Sequence, residues 1–285
     1  MPLPMFQKKE FQPRPSIKHV IAIAAGKGGV GKSLVTINLA LALHQMGYKV
    51  GVLDADLYGP SVRQMLPEDR LPSQNGSKII PAMCHGIRMI SLAYFRRNHE
   101  AAAVRAPIAN GLITQFVHQV EWGDLDYLLI DFPPGTGDIQ LTLSQQANLS
   151  GAIMVTTPQE VAVLDVRKAM NLFDQLKVPL IGLIENMSYY AHHQTGEQIF
   201  LFGKGGGERL AQERGIPLLG AIPVDPVLCR YADQGKSIFE GGSETQFIAD
   251  HFIEVAKKAI AHLDLIKAQN SNSLDHFEVN WSQTT

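Results

Sequence analysis

Residues 19–33 read HVIAIAAGKGGVGKS, and the fold of the 285-residue chain turns on them. The stretch from His19 to Ala25 is short, nearly all apolar and closed by glycine. Such a run offers water no polar face, which predicts a strand covered on both sides, as parallel sheets require. From Lys32 onward the period changes, and Val35, Leu39, Ala42, Leu43 and Met46 recur at helical spacing. Strand and helix are joined by Gly26-Lys27-Gly28-Gly29-Val30-Gly31-Lys32-Ser33, which matches the phosphate-loop pattern in full. The glycines permit a turn tight enough for successive backbone N–H groups to converge on one anion, and the helix N-terminus adds its positive end.

Working outward, the strand pattern recurs at 49–56, 87–92, 126–135, 151–158, 179–187 and 217–224, with helical stretches at 104–120, 138–147, 160–177 and 206–214. Strands alternating with helices predict an α/β fold with a mostly parallel sheet and right-handed crossovers. Asp, Pro, Asn and Gly gather at the C-terminal ends of these strands, the edge where open α/β sheets bind ligands. A last helix over about 245–263 carries Phe247, Ile248, Phe252, Val255, Ala256, Ala259 and Ile260 along one face, a stripe expected to pack on the sheet. Residues 1–17, rich in proline, predict a flexible lead-in, and the polar residues from 265 to 285 predict a disordered tail. That leaves one domain over 18–264, with no internal repeat and no linker.

Composition narrows the partners. Hydrophobic residues make up 45% of the chain, enough for a large core, and the formal charge is −2 with acids and bases interspersed. A near-neutral balance argues against nucleic acid, whose phosphates require a basic face. The only cysteines, Cys84 and Cys229, have no spacing motif, which fits a reducing, cytoplasmic compartment. No apolar run approaches the roughly 20 residues that span a bilayer, so no membrane association is expected.

The chemistry follows from the loop. Lys32 is placed to reach the β- and γ-phosphates of a nucleotide, and the Ser33 hydroxyl to ligate Mg²⁺. Asp131 closes the strand DYLLID and suits a carboxylate that holds the metal through water, while the Gly135 amide in the following FPPG is positioned to sense the γ-phosphate. Asp54 and Asp56 end another strand in LDADLYGPS; Asp56 is assigned to orienting the attacking water and Asp54 to the magnesium shell. Lys27, directly after the first glycine, marks the deviant Walker A class. There this lysine points across a dimer at the partner's phosphates, adding positive charge where negative charge develops. A homodimer is therefore expected. FGKGGGERL (202–210) looks like a second phosphate loop but lacks the closing Gly-Lys-Ser/Thr, and reads as a glycine turn into a helix.

Taken together, GKGGVGKS, LDADLYGPS, DYLLIDFPPGTGD, VTTPQEVAVLDVRK, IENMSYY, FGKGGGERLA and GAIPVDP resemble the Mrp family over roughly residues 18–240. This is the ApbC-type branch of the deviant Walker A ATPases, similar to the nitrogenase iron protein and MinD. The resemblance implies a doubly wound P-loop NTPase that binds and hydrolyses ATP, dimerises and carries iron–sulfur clusters to apoprotein clients. It also implies that Asn186, Pro223 and Asp225 hold the adenine, and an Asn amide can indeed pair with adenine N6 and N7.

Three positions depart from the family pattern. Leu34 stands where a threonine hydroxyl would bond the α-phosphate, and Ala106 replaces the glycine of an Arg-Gly-Pro run. The third departure concerns function. The family's Cys-x-x-Cys, which ligates a cluster bridging two subunits, falls here on His192 and Thr195 within ENMSYYAHHQTGE. Thiolates are the usual cluster ligands, and neither His192 nor its neighbour His193 supplies one. The alternative is a nucleotide-gated protein-binding switch that carries no cluster.

Overall fold

Every strand expected from the sequence is present, and all seven lie in one sheet. The computed structural model describes residues 17–56, 61–95, 111, 116, 119–192 and 195–274. The chain runs β1 (Ile17–Ala25), α1 (Lys32–Gln45), β2 (Val50–Asp54), α2 (Val62–Met65), β3 (Ser73–Asn75), β4 (Lys78–Ile80), β5 (Ala82–Cys84) and β6 (Ile87–Ser91). It continues through β7 (Leu125–Asp131), α3 (Asp138–Gln146), β8 (Gly151–Thr156), α4 (Glu160–Gln175), β9 (Leu180–Glu185), β10 (Tyr190–Ala191) and β11 (Gln198–Ile199). The last elements are α5 (Gly206–Arg214), β12 (Leu218–Ala221), α6 (Pro226–Asp233) and α7 (Gln246–Leu274).

The main sheet has the order β12-β9-β8-β1-β7-β2-β6-β5, and only its β5–β6 pair is antiparallel. From β1 the chain steps outward to β2 and β6, returns to β7, then crosses β1 to reach β8 and β9. That reversal opens a crevice at the C-terminal end of β1, where doubly wound sheets place their ligands. Helices cover both faces. Along β1, Ile21, Ile23 and Ala25 join one core with α1 and α7, while Ala22 and Ala24 join the other with α4, the alternation a strand dictates. Because α1 is enclosed by the sheet and α7, its run from Val35 to Leu43 is buried on nearly every side.

The structure departs from the sequence expectation in places with clear causes. The strands β3, β4, β5, β10 and β11 have two or three residues each, too few for a period to register. β5 and β6 are joined by His85 and Gly86, both at positive φ (46° and 78°), a hairpin turn that matches strand twist. The final helix continues to Leu274, through residues expected to be disordered. Leu263 is buried, Ile266 packs on the core, and Lys267 donates to His19 Nε2 at 2.7 Å, fastening the helix to the start of β1. Phe247, placed by its spacing in the core stripe of α7, is 48% exposed. The lead-in before Ile17, most of the helix expected at 104–120 with Ala106, residues 57–60, His193 and residues 275–285 lie outside the described residues.

Candidate nucleotide site

The 26–33 loop leaves β1 and enters α1 at the crevice. Gly26 faces α4 so closely that a Cβ would stand 2.1 Å from the Asp165 carbonyl carbon. Gly31 has φ 81°, and a Cβ there would meet Asn186 Nδ2 at 2.2 Å. Both glycines are thus required by geometry as well as by the ligand they imply. Gly31 provides no side-chain cap to α1, which leaves the first-turn N–H groups directed outward. They face a cavity of about 500 Å³ lined by Lys27 through Leu34, Asp56, Ser61, Met65 and Pro134.

Beneath the loop lies a charged floor. Lys32 is 6% exposed and pairs with Asp131, itself fully buried, at 2.7 Å. Ser33 Oγ donates to Asp131 Oδ2 at 2.6 Å and Thr36 Oγ1 donates to Asp131 Oδ1 at 2.7 Å. Register explains the convergence, because Asp131 ends β7 between β1 and β2, directly opposite Asp54. Hydroxyl and carboxylate oxygens at this spacing are the donor types that magnesium takes. Thr36 is absent from the sequence reading. The available signal was a hydroxyl one helical turn beyond Lys32 in an otherwise apolar run.

Asp54, expected in the magnesium shell, lies a layer deeper. It is fully buried, accepts from Ser91 Oγ at 2.7 Å and from the Asp56 amide at 3.1 Å, and does not line the cavity. Burial, reinforced by the neighbouring charge of Asp131, pushes its carboxyl up to about 7. Asp56 emerges two residues later at the cavity wall.

The other predicted positions are dispersed. Asn186, at the end of β9, is buried under the loop and donates through Nδ2 to the Val30 carbonyl at 2.9 Å, so it braces the turn. The Gly135 amide, at φ 95°, donates to the Ala25 carbonyl at 3.2 Å. Pro223 is buried, and Asp225 caps α6 by accepting from the Val227 and Leu228 amides at 2.6 and 3.0 Å; neither lines the loop cavity. Asp225 faces a separate cavity of about 340 Å³ together with His192.

His192 and Thr195 lie between β10 and β11. The Thr195 amide donates to His192 Nδ1 at 3.4 Å, and the Glu197 amide donates to the His192-flanking Thr195 Oγ1 at 3.3 Å. Among the described residues, the His192 Nδ1 and Thr195 Oγ1 atoms are thus used within the turn. Cys84 is buried in β5 at the opposite edge of the sheet, with its thiol pushed up to about 12 by burial, and Cys229 is exposed on α6. Among the described residues, no group of three or more His, Cys, Asp or Glu gathers for a metal ion. The residues here do not fit an iron–sulfur cluster held by this chain alone.

Comparison with known proteins agrees with the loop and the sheet. The family model described as ParA, NUBPL iron-transfer P-loop NTPase, matches residues 16–260. The chain belongs to this family. It is 41% identical over 257 residues to the iron-sulfur cluster carrier protein of Aquifex aeolicus (strain VF5), covering 89% of this chain and 70% of the relative. A solved nucleotide-binding protein from Archaeoglobus fulgidus, in complex with ADP, shares 37% identity with a TM-score of 0.70, over 81% of this chain and 92% of that one. The fold is also that of MinD from Pyrococcus horikoshii, at 23% identity and a TM-score of 0.59 over 84% and 95% of the two chains. Among the described residues no helix is long and apolar enough to cross a membrane.

Proposed function

We propose that this member of the family binds Mg-ATP at residues 26–33, hydrolyses it slowly and works as a homodimer whose nucleotide state controls its engagement with protein clients. The observation that carries this reading is the buried Lys32–Asp131–Ser33 network beneath an open glycine loop. Its charges are arranged for an exchange. With the loop unliganded, Lys32 supplies the positive charge that buried Asp131 requires. Phosphates entering the loop would draw Lys32 to them, and Ser33, with Asp131 through water, would hold a magnesium ion whose charge would stand in for the lysine.

Asp56 is the residue at the cavity wall suited to orienting a water, and the backbone of Ala25 and Gly135 links the loop to the segment after β7. Breaking that Gly135–Ala25 bond would free the Gly135 amide for the γ-phosphate, a two-state device of the kind nucleotide switches use. Lys27 lines the same cavity, and in the homodimer it would meet the partner's phosphates. Asn186 reaches adenine in this reading by its remaining amide atoms, and Pro223 and Asp225 bound the region beyond it.

The named relatives are iron–sulfur cluster carriers, which makes cluster transfer to apoproteins the first candidate for the work driven by ATP. A second reading, favoured by the thiolate-free turn at His192 and Thr195, is a nucleotide-gated protein-binding switch without cargo. The decisive experiment combines Mg-ATP titration calorimetry, sedimentation with and without ATP, and iron and sulfide analysis after anaerobic reconstitution. Nucleotide binding with ATP-dependent dimerisation is expected. Stoichiometric cluster would favour the carrier, and an iron-free active ATPase the switch. No measurable Mg-ATP binding would overturn both.

A further inference from the structure

The exposed Phe247 stands where two cavities meet. One, of about 300 Å³, runs between β12 and α7; the other is the 340 Å³ cavity beside His192. Phe247 is held there. Its ring packs edge-on against His251 at 4.6 Å, while His251 Nδ1 lies 2.8 Å from the Phe247 carbonyl and its Nε2 3.1 Å from the Tyr189 hydroxyl. An aromatic fixed at a rim and left half in water costs hydrophobic stabilisation, which a bound apolar group would restore.

The first cavity has an informative lining. It touches Leu219, Gly220, Ala221 and Ile222, four consecutive residues. Three of them belong to β12, whose pairing with β9 shifts register between Leu218 and Gly220, so the cavity follows the strand past this irregularity. β12 is an edge strand, paired among the described residues with β9 alone. The opposite wall is one stripe of α7: Phe247, Asp250, His251, Glu254, Val255 and Lys258. Those positions follow helical spacing. A Cβ on Gly220 would stand 2.5 Å from Val255 Cγ2, so the glycine lets the helix sit low over the strand. The result is a trough between a strand edge unpaired among the described residues and a helix, the arrangement in which an extended peptide adds as a further strand.

Charge indicates what such a peptide carries. Asp250 and Glu254 stand one helical turn apart on the wall, and Asp225 and Glu244 line the adjoining cavity, against the single ammonium of Lys258. Glu254 and Glu244 have cationic neighbours in Lys257 and Arg230. Asp250 accepts from the neutral Gln246 amide at 2.6 Å. We propose that the trough between β12 and α7 binds an extended segment of a partner protein by strand addition, with an apolar side chain seated at Phe247 and a basic side chain at Asp250 and Glu254. The site lies three strands from β1 and does not depend on the ATPase assignment.

The test uses the full chain and fluorescent ten-residue peptides in which lysine and valine alternate, read by anisotropy and by hydrogen exchange of the Gly220 and Ala221 amides; the Ile222 amide, already bonded to the Glu185 carbonyl at 2.8 Å, serves as the internal control. Binding that slows exchange at the Gly220 and Ala221 amides is expected. Phe247→Ala should weaken it about tenfold, as loss of an interface anchor does. Asp250→Lys should weaken it about fivefold, the scale of an exposed ion pair. N-methylation of alternate peptide amides should abolish it, and glutamate in place of lysine should not support it. Four results would overturn the proposal: no binding of the lysine–valine peptides, binding indifferent to N-methylation, or trough amides protected in the free protein by its own residues 275–285. The fourth is a dimer that Phe247→Asp converts to monomer, which would make the trough a self-interface.

Discussion

The turn at 26–33 and the turn at 203–207 are built alike. Each leads into a helix, each passes through left-handed glycines (Gly29 and Gly31 at φ 81°, Gly203 at 93° and Gly205 at 70°), and each has a lysine after its first glycine. They differ in what meets the helix N-terminus. At α5 the Glu185 carboxylate accepts from the Gly207 amide at 2.6 Å, and Gly206 is pressed so close to Pro158 that a Cβ would stand 2.3 Å from its carbonyl oxygen. Lys204 lies over the Phe200 ring at 4.6 Å. At α1 no side chain caps the helix, the N–H groups face an open cavity, and Lys27 lines it. Helix N-termini leave N–H groups unpaired and favour a negative partner. The protein supplies its own in one turn and leaves the other for a ligand.

The largest expected effect is from Lys32→Ala, which disables the open turn from within. Phosphate contact is lost, and Asp131 is left buried without its cation, a loss of about 3–5 kcal/mol in stability. Calorimetry should show no Mg-ATP binding and urea denaturation an early midpoint; unchanged affinity would mean that the open turn is not the site.

Next is Asp54→Asn, which tests the two acids and one lysine under that turn. The Asp54 carboxyl is raised in the folded protein from 3.8 to about 7, so between those values the folded state holds the proton that the unfolded state has released. Its contribution to stability is thus present at low pH and falls as pH rises through 7, by about 3 kcal/mol between pH 5 and 8. The asparagine variant should lack that slope in urea melts at the two pH values. A parallel slope in both proteins would remove Asp54 as its source.

Glu185→Ala empties the closed turn. The Gly207 amide and the Ser188 hydroxyl, which donates to Glu185 at 2.5 Å, lose their acceptor. A loss of about 2 kcal/mol is expected, with Mg-ATP affinity little changed. If nucleotide affinity falls with it, the two turns are one energetic unit and the contrast between them fails.

The smallest effect on the monomer is expected from Lys27→Ala, within about 0.5 kcal/mol in stability. Sedimentation with ATP should nonetheless show weaker dimerisation, whereas Lys204→Ala should leave the dimer intact. Equal behaviour of the two variants would remove the special role of Lys27.

Much of this was legible in the chain. The seven long strands announced themselves as apolar runs, most of them closed by Gly, Pro, Asp or Asn, and the phosphate loop because its glycines and lysine are local chemistry. Depth was not legible. Asp54 and Asp56 look equivalent in LDAD, but β2 ends at Asp54, which stays between its neighbours while the backbone carries Asp56 to the cavity. Asp225 serves as a helix cap, a use that the following proline allowed but could not distinguish from a ligand contact.

The sequence by itself determined that a parallel sheet carries a phosphate loop at the end of its first strand, since strand burial, helix period and glycine turns are encoded by neighbours a few residues apart. Only the tertiary structure decided which glycine turn stays open, where Asp54 lies and that Phe247 faces water. Each depends on a group brought from elsewhere in the chain: Glu185 to Gly207, Ser91 and Asp131 to Asp54, and β12 to α7. Local pattern specifies what a residue can offer, and packing specifies what arrives to meet it.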